Sequence, residues 1–209
     1  MMWSAFEILL AYGLGSISGS LVLGRLRGLD IRGEGSGNAG GTNALRVAGW
    51  RFALAVVLID IGKGVVAAAA VPLLGPGPAV NALWCALAAV AGHIWPAWHG
   101  FRGGKGGATA VGGLAVVLPL ALLPLVTVWL LTLGITGYVG LATCLAALSI
   151  VPAAFWLAPP AMLEMYLAFS VTLAAMVLFA HRSNLMRLAR GTENRFDRAR
   201  VLHPGRPRR

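Results

Sequence analysis

Apolar residues run in blocks along this chain instead of alternating. From Trp3 to Leu23, Phe52 to Leu74 and Ala79 to Ala97 the sequence is mostly Leu, Val, Ala and Ile, without the period of two that a half-buried strand requires. Each block is about as long as the roughly 20 residues that carry a helix across a bilayer. From Ala108 to Ala180 the apolar character is almost unbroken, so the divisions come from Pro and Gly. Pro119 and Pro124 mark one break, Gly134 to Gly140 a second and Pro159-Pro160 a third, with Pro152 a kink inside a segment. The pieces are 108–118, 120–135, 138–157 and 161–180. The pattern predicts an all-α polytopic membrane protein with seven transmembrane helices, some of them short. Five crossings, with two longer helices after Lys105, are the alternative.

The first block exceeds the core of a signal peptide and reaches its arginines without a clear small-residue cleavage site, so it reads as a retained helix. Its Gly13, Gly15, Ser16, Ser18, Gly19, Ser20 and Gly24 predict close helix contacts. In the second block Asp60 and Lys63 lie three residues apart, on one helix face. Charges in a bilayer are expensive, so the two either pair structurally or support a polar site. Cys85 and Cys144 fall inside apolar segments and read as small packing residues.

Composition agrees with the block pattern and charge adds orientation. Of 209 residues, 58% are hydrophobic and 11% charged, outside the soluble range in both respects. The formal net charge is +10, but the cations are clustered. Arg25, Arg27, Arg32, Arg46 and Arg51 fall in one segment, Arg102 and Lys105 in another, and nine arginines follow Ala180; Lys63 alone lies apart. Basic residues that flank long apolar runs point to a membrane surface and anionic lipid, not nucleic acid. The turns at 75–78, 119–124 and 158–160 hold no Lys or Arg. An excess of cations on the cytoplasmic side therefore puts the three basic segments inside, the N-terminus outside and the C-terminus in the cytoplasm. Residues 1–195 read as one membrane domain, and 196–209 as an Arg- and Pro-rich cytoplasmic tail.

Three polar clusters interrupt the apolar text, all on that one face. The first, Gly35 to Arg46, combines Gly35, Gly37 and Gly40 with Ser36, Asn38, Thr42 and Asn43. Glycines let backbone N–H groups converge, and the side chains add donors, a combination that fits a phosphate. Its Gly-x-Gly-x-x-Gly spacing matches a dinucleotide fingerprint, but no strand precedes it. The second, Gly92 to Thr109, holds His93, Arg102, Gly103, Gly104, Lys105 and Gly106, and lacks the upstream Gly and the following Ser/Thr of a P-loop. The third runs from His181 to Glu193. On a continuing helix His181 and Asn184 share a face with Arg187 close by, and Glu193 can orient Arg187 or Arg190. No cluster offers paired carboxylates, a metal-ligand set or a Ser-His-Asp arrangement, and no His is followed five residues later by Asp. These residues alone fit an enzyme that handles phosphate-bearing substrates, or a transporter of small phosphorylated solutes.

With its motifs laid out, the chain resembles the bacterial acyl-phosphate:glycerol-3-phosphate acyltransferases, the PlsY family. The family patterns GSGNxGxTNxxR, GHxxPxxxxFxGGKGxAT and HRxNxxRLxxGxE are met in order from Gly35, Gly92 and His181. The resemblance implies transfer of a fatty acyl group from acyl phosphate to the 1-hydroxyl of glycerol 3-phosphate in the bacterial inner membrane, with membrane lipid around the acyl chain and no metal or cofactor. It implies that Ser36, Asn38, Gly40, Thr42 and Lys105 serve the acyl phosphate, and Arg46, Lys105, His181 and Asn184 the glycerol 3-phosphate. Gly35, Gly37, Asn43, His93, Gly103, Gly104, Gly106, Thr109, Thr143, Arg187 and Glu193 complete the implied binding set. His93, His181 or a substrate phosphate would take the hydroxyl proton. One segment departs: where the family has a pattern like RYVSLxS, this chain reads Gly137-Tyr138-Val139-Gly140-Leu141-Ala142-Thr143, so Gly140 has no side-chain donor and Thr143 keeps a hydroxyl.

Overall fold

The computed structural model describes residues 2–75 and 78–197, and among them the regular elements are helices, with no strand. Of the basic tail expected over 196–209, residues 198–209 lie outside the described residues. Contacts group the chain, read as one domain from sequence, into two compact units, Met1–Leu120 and Ala121–Arg209.

In the first unit, α1 (Met2–Gly15) and α2 (Gly19–Leu26) meet at a bend of 46°. The sequence reads as one uninterrupted helix here. The break falls at Ser16–Ser18, where the Ser16 hydroxyl donates to the Tyr12 carbonyl oxygen at 2.9 Å and the Ile17 carbonyl leaves the helical ladder for the Lys63 ammonium. The small residues act as expected: a Cβ at Gly15 would overlap the Ala89 backbone, and one at Gly92 the Tyr12 carbonyl, so α1 lies directly on α4 (Pro78–Ile94).

Helix α3 (Gly41–Ala69) contains a sharp break at Gly49, whose φ of 79° suits glycine. The break separates the polar stretch that opens at Gly41 from the apolar stretch beyond Trp50. Gly64 and Gly112 bring α3 against α5 (Gly107–Val117) so closely that a Cβ on either would strike the other backbone. The buried core is correspondingly small in grain: Ile31, Ala39, Ala44, Phe52 and Val56 at one place, Ala11, Ala67, Val71, Cys85 and Ala89 at another.

The second unit comprises α6 (Leu122–Thr136), α7 (Val139–Leu157), α8 (Leu163–Ala180) and the short α9 (Arg182–Ala189). Pro124 is accommodated in the first turn of α6, where its missing N–H is not needed, and Pro152 sits inside α7 without ending it. Ala147, Ala174 and Val177 are buried between α7 and α8. Large side chains such as Leu130, Trp156 and Phe179 point outward, as a lipid-facing surface allows.

All seven segments expected from sequence are helical, but they differ in reach. Gly41–Leu74, Val80–His99, Pro119–Thr136, Val139–Leu157 and Pro160–Ala180 are each long and apolar enough to cross a membrane, and the α1–α2 pair qualifies as a sixth only if its bent halves form one span. Helix α5, with 11 residues, rises only about 16 Å against a hydrocarbon core of about 30 Å.

Candidate active site

The first polar loop is tied from within. Asn43, 1% exposed, accepts the Ser36 N–H at its Oδ1 (2.7 Å) and donates through Nδ2 to the carbonyl oxygens of Ile31 (2.9 Å) and Glu34 (3.0 Å). Its amide therefore holds the loop's shape. A Cβ at Gly35 would strike Asn43 Oδ1, and Gly35 and Gly37 both have positive φ. Gly40 caps α3 without any side-chain hydrogen bond, so the first amides of that helix, from Gly41 to Asn43, have no capping acceptor. Ser36, Thr42 and Arg46 are exposed around this positive helix end and Asn38 is half-buried. Asp30 forks onto Arg32, with Nε to Oδ1 at 3.0 Å and Nη2 to Oδ2 at 2.9 Å, and this hydrogen bonding holds the Asp30 carboxyl down at about 2.

The second loop folds back onto the end of α4. Gly103 N–H donates to the Ile94 carbonyl at 3.2 Å and Gly104 N–H to that of His93 at 3.0 Å. Neither glycine has room for a Cβ: at Gly103 it would strike the His93 carbonyl and Pro96, at Gly104 the His93 imidazole and the Ala39 carbonyl. Gly106, with φ +79°, opens α5, again without a side-chain cap, and Lys105 beside it is half-buried. Thr109 is fully buried against Gly64, and its hydroxyl has no hydrogen-bond partner.

Beneath these loops lies a cluster that the sequence half reveals. Lys63 Nζ stands 3.0 Å from Asp60 Oδ1, as the three-residue spacing implied, and 2.7 Å from His93 Nδ1. The participation of His93 depends on how α4 docks and has no signal in spacing. A second buried carboxylate was overlooked entirely: Glu7 is fully buried in α1 and accepts from Asn81 Nδ2 at 2.6 Å. A lone Glu in an apolar block is the sign that could have exposed it.

In the second unit, His181 sits at the junction of α8 and α9. Its Nδ1 lies 2.8 Å from the Val177 carbonyl oxygen. A carbonyl only accepts, so Nδ1 carries a proton and Nε2 is the nitrogen whose protonation sets the ring's charge. Asn184 Nδ2 donates to Glu193 Oε1 at 2.6 Å, and Arg187 Nε to Glu193 Oε2 at 2.8 Å. Of the two arginines considered from sequence, Glu193 thus engages Arg187, and it fixes Asn184 as well. Thr143 is used internally: its hydroxyl donates to the Val139 carbonyl at 2.9 Å and accepts from Trp129 Nε1 at 3.2 Å.

Gly140 has a packing reason that its departure from the family pattern concealed. A Cβ there would lie 2.8 Å from Asn184 Cβ and 2.9 Å from Asn184 Nδ2. Gly140→Ser, which restores the family residue, is expected to destabilise by about 1–3 kcal/mol through overpacking of α7 on α9. The check is the thermal midpoint in detergent; an unchanged midpoint would show that α9 yields without cost.

Each unit thus presents cations and oriented donors. Among the described residues no group of three or more His, Cys, Asp or Glu is arranged to hold a metal. A family model described as glycerol-3-phosphate acyltransferase matches residues 5–191. The chain belongs to the glycerol-3-phosphate acyltransferase family. Relatives of that name include the proteins of Azotobacter vinelandii, 42% identical with 94% of this chain and 100% of the relative covered, and of Shouchella clausii, 43% identical over 91% and 95%. The Chlorobaculum parvum protein is 40% identical over 90% of this chain and 94% of its own length. The fold is similar to crystal structures of PlsY, an integral membrane glycerol 3-phosphate acyltransferase. Its glycerol 3-phosphate form matches with TM-score 0.84 and 35% identity over 92% of this chain and 95% of the other. Its lysophosphatidic acid form matches with TM-score 0.81 and 34% identity over 92% and 94%. This glycerol-3-phosphate acyltransferase is therefore a multi-pass membrane protein.

Proposed function

We propose that this acyltransferase takes its acyl group from an acyl phosphate and delivers it to the 1-hydroxyl of glycerol 3-phosphate, releasing lysophosphatidic acid and inorganic phosphate. The observation that carries the reading is the pair of uncapped helix starts at Gly41 and Gly107, each fed by a glycine loop and accompanied by Arg46 and Lys105. This is equipment for oxyanions. An acyl phosphate is an activated anhydride, so positioning and charge stabilisation suffice.

In this reading Ser36, Asn38, Gly40, Thr42 and Lys105 hold the donor phosphate, while Arg46, Lys105, His181 and Asn184 engage glycerol 3-phosphate. Gly35, Gly37, Gly103, Gly104 and Gly106 shape the backbone, and Arg187 and Glu193 hold Asn184 in place. The hydroxyl oxygen attacks the acyl carbon, the bond from that carbon to the phosphate oxygen breaks, and the leaving phosphate carries away the hydroxyl proton. Seven crossings in the bacterial inner membrane, with the N-terminus outside and the polar loops cytoplasmic, fit the distribution of Lys and Arg. The short α5 packs against α3 and α4.

Purified protein in detergent or lipid is expected to release phosphate only when both acyl phosphate and glycerol 3-phosphate are present. Equal transfer from an acyl thioester, with none from acyl phosphate, would overturn the donor assignment.

A further inference from the structure

Helix α6 ends in a turn that a distant stretch of the chain closes. Gly137, in left-handed backbone with φ 77°, donates its N–H to the Leu133 carbonyl at 2.8 Å and stops the helix there. The last carbonyls of a helix have no donor within it. Two carbonyl oxygens of this turn are instead met from beyond α9: Arg195 Nε, 59 residues on, donates to that of Thr136 at 3.0 Å, and the Phe196 N–H to that of Gly137 at 2.8 Å. The Arg195 guanidinium also lies over the Tyr138 ring, 5.4 Å from its centre, and its charge meets the negative end of the α6 dipole. Asp197 Oδ1 is 3.7 Å from Arg195 Nε, too far for a hydrogen bond, and the exposure of both side chains leaves that pair little weight.

The same stretch is fixed at its other end. Gly191, with φ 71°, reverses the chain after α9: its N–H bonds the Leu188 carbonyl at 3.0 Å and that of Thr192 the Arg187 carbonyl at 2.8 Å, the pairing of a Schellman turn. Glu193 is thereby laid back along α9, where its 5% exposed side chain accepts from Asn184 Nδ2 and Arg187 Nε. A carboxylate only accepts, so Nδ2 is the edge of the Asn184 amide that faces it, and a flipped amide would set Oδ1 against the charge. Glu193 thus stands between two anchors, the Gly191 turn and the attachment of Arg195 and Phe196 to the end of α6.

We propose that Arg195 is a positioning residue for glycerol 3-phosphate: by tying the chain beyond α9 to the end of α6, it keeps the Glu193 carboxylate on Asn184 and so fixes the orientation of that amide. The inference rests on the reading that Asn184 engages this substrate. Without the guanidinium, the stretch loses one of its two hydrogen bonds to the α6 turn, Glu193 moves outward with it, and Asn184 loses the partner that sets its orientation. Arg195 donates to main chain two residues beyond Glu193, so it acts through Glu193 and not on the substrate.

The test is Arg195→Ala in the full chain, compared with wild type in one detergent. Glycerol 3-phosphate affinity by calorimetry is expected to fall about tenfold, the scale of one charge-assisted hydrogen bond. KM for glycerol 3-phosphate should rise by the same factor, while KM for acyl phosphate stays within about twofold. Arg195→Gln, whose amide nitrogen reaches the place of Nε, is expected to bind within about threefold of wild type. On a Glu193→Gln background the Ala substitution should add little, because the carboxylate it positions is already gone. Wild-type affinity in Arg195→Ala overturns the proposal, as does an equal rise in both KM values or the full loss repeated on the Gln background. Should the Ala variant fail to fold, Arg195→Met keeps the stem without a donor and is judged by the same outcomes. Asn184→Ala, measured alongside, separates the two levels. Wild-type affinity there removes the reading of Asn184 and this proposal with it, whereas a weakened Asn184→Ala beside an unaffected Arg195→Ala overturns the proposal alone.

Discussion

Lys105→Met is expected to lower kcat/KM for acyl transfer by about a thousandfold, at the upper end of what one preorganised charge contributes to an oxyanion site. The expectation comes from how the residue is held. Gly103 and Gly104 pin the loop backbone to the end of α4, and Gly106 turns directly into α5, so the base of Lys105 is fixed on both sides. Its half-buried side chain stands on a glycine backbone packed so closely against His93 and Pro96 that a Cβ would not fit. The hydrogen bonds of Gly103 and Gly104 are made by main chain and survive the substitution. Lys105→Arg keeps the charge but exchanges a compact ammonium for a wider planar fork, and it should recover only part of the rate. Steady-state phosphate release, with midpoints measured on the same preparations, separates these outcomes. A Met variant within tenfold of wild type would place the decisive charge elsewhere, with Arg46 as the next residue to test.

Much of this was legible in the chain because it follows from local chemistry. Apolar blocks and the Pro and Gly between them located all seven helical segments, since helix position in a membrane protein depends on composition along the sequence. The Asp60–Lys63 pair was legible from its spacing, and the Glu193–Arg187 contact from a carboxylate among cations. What escaped depends on packing between distant segments. The bend between α1 and α2 needs Lys63 to draw the Ile17 carbonyl out of its helix. His93 reads as the end of an apolar helix until the docking of α4 brings it onto Lys63. The lack of space at Gly140 exists only because Asn184 is there. Thr143 looked like a hydroxyl available to substrate, yet it bridges Trp129 and Val139.

Asn43 is the sharpest such case, and Asn43→Ala is expected to lose about 2–4 kcal/mol of stability, a fall of roughly 5–15 °C in midpoint for a chain of this size. Sequence places it among the phosphate donors of its loop. In the structure its amide is committed to Ser36, Ile31 and Glu34, deep enough that removal strands the Ser36 N–H and the Ile31 carbonyl. Asn43→Asp should be no better: it keeps the acceptor for Ser36 but turns carboxylate oxygens toward two carbonyls that need donors. Thr42→Ala, on an exposed residue one position earlier, should do the opposite, weakening substrate binding while leaving the midpoint in place. Thermal unfolding followed by tryptophan fluorescence, paired with transfer rates well below each midpoint, distinguishes a residue that builds the loop from one that touches substrate. An Asn43→Ala protein with a wild-type midpoint and lost affinity would return Asn43 to the substrate. A lowered midpoint makes its amide the internal tie that lets Ser36 and Thr42 face outward.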